Sequence, residues 1–398
     1  MSMDKKAKLR AINNAIKGIE KQLKAEGLCR RLGDEPPMQY DVISSGSMAL
    51  DLAVGCKGFD PTGKPAIGLA RGRIYEIFGA ESSGKSLICQ KIISEFQKHD
   101  LICAYIDAEM TFAPDFARKL GVDPDEIFLS QPDNMEDAFT VMDALIDSKG
   151  VDCIVLDSVA ALAPKAELDG EIGKSTMALV ARVMSPFLRR IIPKCAKNNV
   201  TVIFVNQTRD NVGVLYGDPV TTPGGKALKF YSSVRMQVAK VGGTTQNIKI
   251  GGEDVPVAHD IRVTVKKNKL AQPFRKAQFT LYYDGSKSDP IRDLAELSML
   301  RGIIPRFKAD GTPDPKGRNF KIEAEDEVLF AKNREQVVEQ LATLPKVQEK
   351  LLSILTNPEY IETAEQEIDE YEGMSEDEFE NSLEYGESEA EETSWEDV

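Results

Sequence analysis

The spacing of hydrophobic positions changes along this chain, and each change predicts a different kind of element. Leu9, Ile12, Ile16, Ile19 and Leu23 recur at steps of three and four among Lys, Arg and Asn, which predicts a helix with one narrow apolar stripe. Such a stripe suits packing on its own domain or docking on a neighbouring subunit. A loop rich in Pro, Gly and charge follows (Leu32 to Gln39), then a short capped helix at Ser45 to Asp51 and a looser Gly- and Pro-containing insert from Gly55 to Arg73. From Ile74 onward short apolar runs alternate with amphipathic stretches: Ile74 to Phe78, Lys85 to Lys98, Leu101 to Ile106, Asp115 to Leu120, Met135 to Asp147, Cys153 to Leu156, Ser175 to Lys197 and Val200 to Val205. Strand and helix in alternation predict an α/β fold with a mostly parallel central sheet covered by helices. Past Leu228 the segments Val234 to Val241, Ile261 to Val265 and Gln278 to Tyr283, separated by turns such as Gly242-Gly243 and Asp284-Gly285, predict antiparallel strands added to the same sheet. Helical patterns at Ile291 to Leu300 and Arg334 to Leu355, beyond a Gly, Pro and Lys-rich stretch at Ala309 to Arg318, predict a small α+β C-terminal domain.

Charge modifies this picture at one end. The 398 residues carry a formal net charge of −14, but residues 362–398 hold 17 Asp and Glu and no Lys or Arg, so the rest of the chain is near +3. The tail reads as a solvating disordered segment and equally as a competitor that screens a basic surface from DNA at low salt. Apolar stretches are too short to span a bilayer and Met1 to Lys6 lacks a signal-peptide core, so a soluble cytoplasmic protein with no membrane partner is expected. Six cysteines without C-x-x-C spacing and two histidines, His99 and His259, point to neither a zinc site nor a disulfide framework. Cys89, Cys103 and Cys153 fall in apolar segments and read as core thiols.

The chemistry begins at Gly79-Ala80-Glu81-Ser82-Ser83-Gly84-Lys85-Ser86, a complete G-x-x-x-x-G-K-[ST] phosphate loop between a predicted strand and a predicted helix. Its glycines let backbone N–H groups close round phosphate oxygens, Lys85 neutralises the β and γ phosphates, and the Ser86 hydroxyl ligates Mg²⁺. Ile154-Val155-Leu156-Asp157 is an apolar strand ending in a carboxylate, as expected for the Walker B acid that holds the Mg²⁺ shell. Glu109, just past the strand Ala104 to Asp107, is the candidate that orients the attacking water, with Asp107 as its competitor. Val202 to Val205 ends in Asn206-Gln207, where a γ-phosphate sensor would sit, and a long glycine-rich loop follows from Thr208 to Lys226.

Taken together these residues resemble the bacterial RecA recombinases. The phosphate loop, Asp107-Ala-Glu109, Val155 to Leu162, Pro164-Lys-Ala-Glu167, Gly170-Glu-Ile-Gly173, Asn206-Gln207 and Lys266-Lys-Asn-Lys269 carry the likeness, which runs from the N-terminal helix to about Asn357. The resemblance implies a RecA-like P-loop NTPase core at 36–290, a subunit-docking helix at 1–35, a small C-terminal domain at 291–360 and an acidic disordered tail at 361–398. It implies ATP-dependent, Mg²⁺-dependent assembly on single-stranded DNA, pairing with homologous double-stranded DNA, strand exchange and DNA-stimulated ATP hydrolysis. Its DNA-facing positions are Met177, Arg182, Ser185, Arg189, Arg209, Tyr216, Gly224 and Gly225. Lys267 and Lys269 look like the pair that reaches the ATP of the adjoining subunit, and the segment around Phe230 looks like part of a head-to-tail contact that grows a helical filament. Possible partners on this likeness are a self-cleaving repressor in a DNA-damage response and filament-loading proteins. Two other readings share the loop and the Walker acid: a ring-forming RecA-fold helicase, and a filament acting mainly as a signalling scaffold.

Several positions depart from the family pattern. Met110, Ala113 and Phe116 stand where the family carries His, Asp and Tyr; Phe116 keeps a ring for the base, while Ala113 removes a polar base contact. Ser86 replaces Thr and keeps the Mg²⁺ ligand. Asp210 and Asn211 alter the second loop, Ala239 replaces an arginine beside Lys240, and the Gly55 to Arg73 insert is longer than usual.

Overall fold

A computed structural model of the chain describes residues 4–24, 29, 31, 39–170, 177–210, 220–224, 227–250, 253–285, 290–308, 312–314 and 317–357. The acidic tail lies outside the described residues. The chain divides into two units, one ending at Gln39 and one beginning at Tyr40. The first contains helix α1 (Lys5–Leu23), started by Asp4, whose carboxylate accepts the backbone N–H groups of Lys6 and Ala7, and ended by Lys24 at φ 49°. No residue of α1 is buried within this unit, and Leu9, Ile12, Ile19 and Leu23 of the predicted stripe stand exposed.

The second unit opens with β1 (Val42–Ile43), α2 (Met48–Val54), β2 (Cys56–Phe59) and β3 (Pro65–Ala70). Its first three strands form an antiparallel sheet in the order β1-β3-β2, so Gly55 to Arg73 is a hairpin and not the loose insert its Gly and Pro content predicts. The reason is where those residues sit. Asp60 organises the turn by accepting the N–H groups of Thr62 and Lys64, both at 2.9 Å. Gly58 and Gly68 lie where a Cβ would stand 2.1 Å from the Tyr40 carbonyl oxygen and 2.5 Å from that of Ile43, so they allow close strand approach.

The predicted alternation then appears as β4 (Ile74–Gly79), α3 (Lys85–Gln97), β5 (Cys103–Asp107), α4 (Pro114–Lys119), β6 (Ile127–Ser130), α5 (Met135–Ser148), β7 (Cys153–Asp157), α6 (Lys165–Leu168), α7 (Met177–Asn198) and β8 (Thr201–Gln207). Strands β4, β5 and β7 are buried along their whole length, as parallel strands covered on both faces must be. Alternate side chains serve opposite faces. Tyr75, Ile77, Tyr105, Val155 and Ile203 pack with Ile88 and Ile92 of α3, whereas Ala104, Ile106, Ile154, Leu156 and Phe204 pack with Met142 of α5 and Leu188 of α7. Phe139 and Phe187 stack between α5 and α7 with centroids 3.9 Å apart.

Further on come β9 (Arg209–Asp210), β10 (Val220–Thr221), α8 (Ala227–Tyr231), β11 (Val234–Lys240), β12 (Gln246–Ile250), β13 (Glu253–Asn268) and β14 (Lys276–Tyr282). The nine-stranded sheet runs β12-β13-β11-β4-β8-β7-β5-β6, with β14 also paired to β13. It is parallel from β11 to β6 and antiparallel beyond. Strand β13 is far longer than the expected Ile261 to Val265 because its first half pairs with β12 and its second half with β11.

The C-terminal region comprises α9 (Pro290–Leu300), β15 (Arg306–Phe307), β16 (Asn319–Ala324), β17 (Glu327–Ala331), α10 (Arg334–Leu341) and α11 (Pro345–Thr356), its strands forming a separate antiparallel sheet β15-β16-β17. One helix expected from Arg334 to Leu355 is two, since Pro345 has no N–H to continue a helix and instead begins one. Leu294, Phe320, Leu329, Leu341, Leu351 and Leu355 merge into the core on the α3 side of the main sheet.

Candidate nucleotide-binding site

Four parallel strands bring the predicted chemistry to one edge. Strand pairing sets Gly79 at the end of β4 opposite Gln207 of β8, and Asp107 of β5 opposite Asp157 of β7. The chain leaves β4, skips two positions to β5, and fills the gap later with β7 and β8, the kind of switch point where α/β sheets collect ligands. Thr208 N–H donates to the Gly79 carbonyl at 3.1 Å, stitching the end of β8 to the start of the phosphate loop.

The loop Gly79 to Ser86 needs its glycines. A Cβ on Gly79 would lie 2.1 Å from the Val238 carbonyl oxygen; Gly84 caps α3 at φ 93°, where a Cβ would lie 2.2 Å from Leu281 Cδ1. Helix α3 therefore starts at Lys85 with its N-terminal N–H groups towards the loop, a ready anion site. Ser83 Oγ is buried without a hydrogen-bond partner among the described residues, a donor that fits a phosphate oxygen. Lys85 is folded back so that Nζ donates to the carbonyls of Gly79 (3.2 Å) and Ala80 (2.6 Å). Burial holds its pKa below the ordinary lysine value, while Asp157 and Glu109 pull it up. Ser86 hydrogen-bonds Asp157, whose carboxylate also accepts the Tyr105 hydroxyl at 2.6 Å. Burial raises the Asp157 carboxyl, and those two hydrogen bonds oppose the rise. A hydroxyl beside a buried carboxylate is a pair of hard oxygen donors, which fits Mg²⁺, and the cation's charge would offset the burial.

Asp107 and Glu109, alternatives in the sequence, have different surroundings. Asp107 is buried and its oxygens accept the N–H groups of Thr111 (3.1 Å) and Phe112 (3.0 Å) and the Gln131 amide (3.0 Å), so it shapes the turn after β5. Glu109 is exposed and accepts from Ser158 Oγ and from Gln207 Nε2 at 3.1 Å. The carboxylate of one strand end thus touches the amide of another.

Lys267 and Lys269 form a different cluster. Lys267 Nζ donates to the carbonyls of Lys229 (2.6 Å) and Phe230 (2.9 Å), and Lys269 Nζ to that of Phe230 (3.2 Å), so both cap the end of α8. Burial, then the neighbouring cations Lys269 and Arg235, lower the Lys267 pKa to about 8. Beneath the site lies a group the sequence pattern did not single out. Glu76, fully buried in β4, accepts from Asn206 Nδ2 (3.1 Å) and pairs with Arg235, which lies 4.4 Å from the Phe78 ring centroid. Its signal was a carboxylate inside an otherwise apolar strand. Ser158, directly after the Walker acid, and Tyr105 also hold site carboxylates, Glu109 and Asp157, without belonging to either motif.

The sequence model of the family described as RecA N-terminal domain matches residues 10–287, which contain both clusters. The chain belongs to the RecA family. It is similar to Protein RecA of Thermus aquaticus, 46% identical over 299 residues that cover 75% of this chain and 83% of that protein. Protein RecA of Chlorobaculum tepidum is 44% identical over 346 residues, covering 85% and 95%, and that of Chloroherpeton thalassium 42% over 346 residues, covering 85% and 92%. RecA membership supports a recombination and repair role with ATP and DNA binding and DNA-dependent ATPase chemistry in general.

The DNA-facing candidates of this RecA chain divide by position. Arg182 and Arg189, seven residues apart on α7 and so on one face, are exposed, and Ser185 between them is half-buried. Met177 begins α7, and Arg209 pairs with Thr221 in the ribbon β9-β10. Gly224, at φ 92°, lies beside the side chains of Met184 and Val159. Tyr216 and Gly225 lie outside the described residues. Phe116 of α4 is half-buried, its ring edge against Gly285.

Proposed function

We propose that this protein is an ATP-dependent recombinase that forms a helical filament on single-stranded DNA and catalyses pairing and strand exchange with homologous duplex. The observation that carries the reading is the division of the triphosphate chemistry. The loop, Asp157, Glu109 and Gln207 converge on one sheet edge, whereas Lys267 and Lys269 are held elsewhere, on α8. A site split in this way is complete when one subunit presents its lysines to the loop of the next, which makes ATP a constituent of the subunit interface.

In the proposed cycle Lys85 exchanges its two carbonyl partners for β and γ oxygens of ATP, and the N-terminus of α3 adds partial positive charge. Ser86 and Asp157 would hold Mg²⁺, which when bound supplies charge neutralisation at the phosphates. Glu109 orients a water and accepts its proton as the oxygen bonds to the γ-phosphorus and the bond to the ADP oxygen breaks. Gln207, at the root of the loop 208–226, links the γ-phosphate to the DNA-facing residues. Arginines 182, 189 and 209 neutralise DNA phosphates, and Met177 and Tyr216 wedge between bases. Hydrolysis then loosens the filament from DNA.

The cytoplasm is the proposed compartment; no helix among the described residues is long and apolar enough to cross a membrane. A self-cleaving repressor and filament-loading proteins are proposed partners of the filament surface. Strand exchange between circular single-stranded DNA and homologous linear duplex, with ATP and Mg²⁺, tests the reading. Joint molecules are expected with wild type and none with Lys85→Ala. A protein that coats single strands yet forms no joint molecules would instead be the signalling scaffold, and one that unwinds a forked duplex would be the ring helicase.

A further inference from the structure

Three charged residues stand in one row across the main sheet. Strand pairing sets Glu76 of β4 opposite Arg235 of β11, and Arg235 opposite Lys267 of β13. Paired residues share a face, so the three side chains leave the sheet on the same side. A bulge makes the row possible. Arg235 pairs with Lys267 but Met236 pairs with Val265, so Lys266 is an extra residue in β13, and an unbroken ladder would set Lys266 opposite Arg235 instead.

Glu76 is the fixed point of the row. It is fully buried, and its carboxylate accepts from Asn206 Nδ2 at 3.1 Å and from Arg235 Nε. A buried carboxylate deprived of its cation is strongly unfavourable and draws an ammonium within reach. Lys267 is within reach, because two strand spacings are about 10 Å, a gap that a lysine and a glutamate side chain span together. Burial, then Lys269 and Arg235, lower the Lys267 pKa and Glu76 raises it, so both members of the pair are felt there. Yet Lys267 Nζ turns away, to the carbonyls of Lys229 and Phe230 at the end of α8. Arg235 stands between. Its guanidinium meets the Glu76 charge, lies 4.4 Å from the Phe78 ring centroid, and repels the lysine outward.

We propose that Arg235 is a positioning residue for the lysine pair: by occupying Glu76 it keeps Lys267 from folding inward and leaves it at α8 for the triphosphate of the neighbouring subunit. This rests on the split-site reading of the function.

DNA-stimulated ATP hydrolysis by variants of the full chain tests it. Arg235→Gln should lower the rate by about 10²-fold, since Lys267 then turns to Glu76. Glu76→Gln in the same chain removes the attraction and should restore most of the rate. The defect should also sit on one side of the subunit contact. Glu109→Gln chains keep their lysines, so mixing them in equal amounts with Arg235→Gln chains joins an intact loop to intact lysines at about a quarter of the contacts and should return a similar share of the wild-type rate. A chain merely weakened in its fold would carry a damaged loop too and gain nothing from mixing. A double variant no faster than Arg235→Gln, or a mixture no faster than its components, would overturn the inference. If Arg235→Gln does not fold, Arg235→Met, of similar length, takes its place with the same expectations. Lys267→Ala/Lys269→Ala chains mixed with Glu109→Gln chains are the reference: recovery is expected there, and its failure would overturn the split-site reading and the inference with it.

Discussion

At the scale of single residues, the site is organised by what each carboxylate already holds. Asp107 has two hydrogen bonds from its own turn and a third from Gln131 beyond β6, and Asp157 is committed to Ser86 and Tyr105. Glu109, held among the described residues by a hydroxyl and an amide that can reorient, is the carboxylate with capacity left for a water. Glu109→Gln should therefore lower the DNA-stimulated rate of ATP hydrolysis by roughly 10²–10⁴-fold while ATP affinity stays within a factor of about three. Phosphate release under single turnover, with nucleotide binding measured in parallel, separates the two. A variant that lost binding and rate together would return the role to a structural one. The same logic makes Gly84 irreplaceable: its φ of 93° and the Leu281 contact act on one atom.

At the scale of elements, the strands that carry the site were legible and the edges were not. Strands β4, β5, β7 and β8 are apolar runs, interrupted in β4 by Glu76, because both faces are covered, and they end in Gly79, Asp107, Asp157 and Gln207, the residues that the motifs mark. Strand β6 exposes Phe128 and Leu129, and β12 is exposed along its described side chains, so neither shows the buried periodicity that marks a strand in sequence. Pairing partners far along the chain decide such edges, as they decide the hairpin β2-β3. Glu76 is visible in sequence as a carboxylate inside an apolar strand, but its partners are not, since Arg235 and Asn206 meet it across β11 and β8. Helix α2 adds a pH dependence. Its Asp51 accepts from Ser44 Oγ and Ser45 N–H beside a cavity of about 420 Å³, and burial, against those hydrogen bonds, raises its carboxyl to about 7. The folded chain thus keeps a proton that the unfolded chain releases near 3.8, so this stability is full below that value and is lost as pH rises to about 7. Asp51→Asn should remove that slope and gain ~4 kcal/mol relative to wild type between pH 4 and 8. Urea denaturation at both ends of the range checks it; parallel curves for the two proteins would refute the assignment.

For the whole molecule, the distribution of charge carries a prediction of its own. Residues 362–398 carry the acidity while the remainder is slightly positive. Truncation after Glu359 should strengthen duplex-DNA binding several-fold at low salt and make it more salt-dependent, because released Lys and Arg then displace more counterions. Filter binding across a salt series reads this directly, and an unchanged slope would leave the tail merely solvating.

The capping of α8 by Lys267 and Lys269 has a consequence for growth. In a head-to-tail polymer completed by these lysines, the terminal subunit at one end has a phosphate loop awaiting lysines, and the terminal subunit at the other has lysines still bound to Lys229 and Phe230. The two tips are then chemically unlike. Addition at one tip is governed by the nucleotide on the resident subunit, and at the other by the nucleotide the newcomer brings. Such a polymer has a built-in direction before it meets any DNA, and its length responds to the ratio of ATP to ADP differently at its two ends.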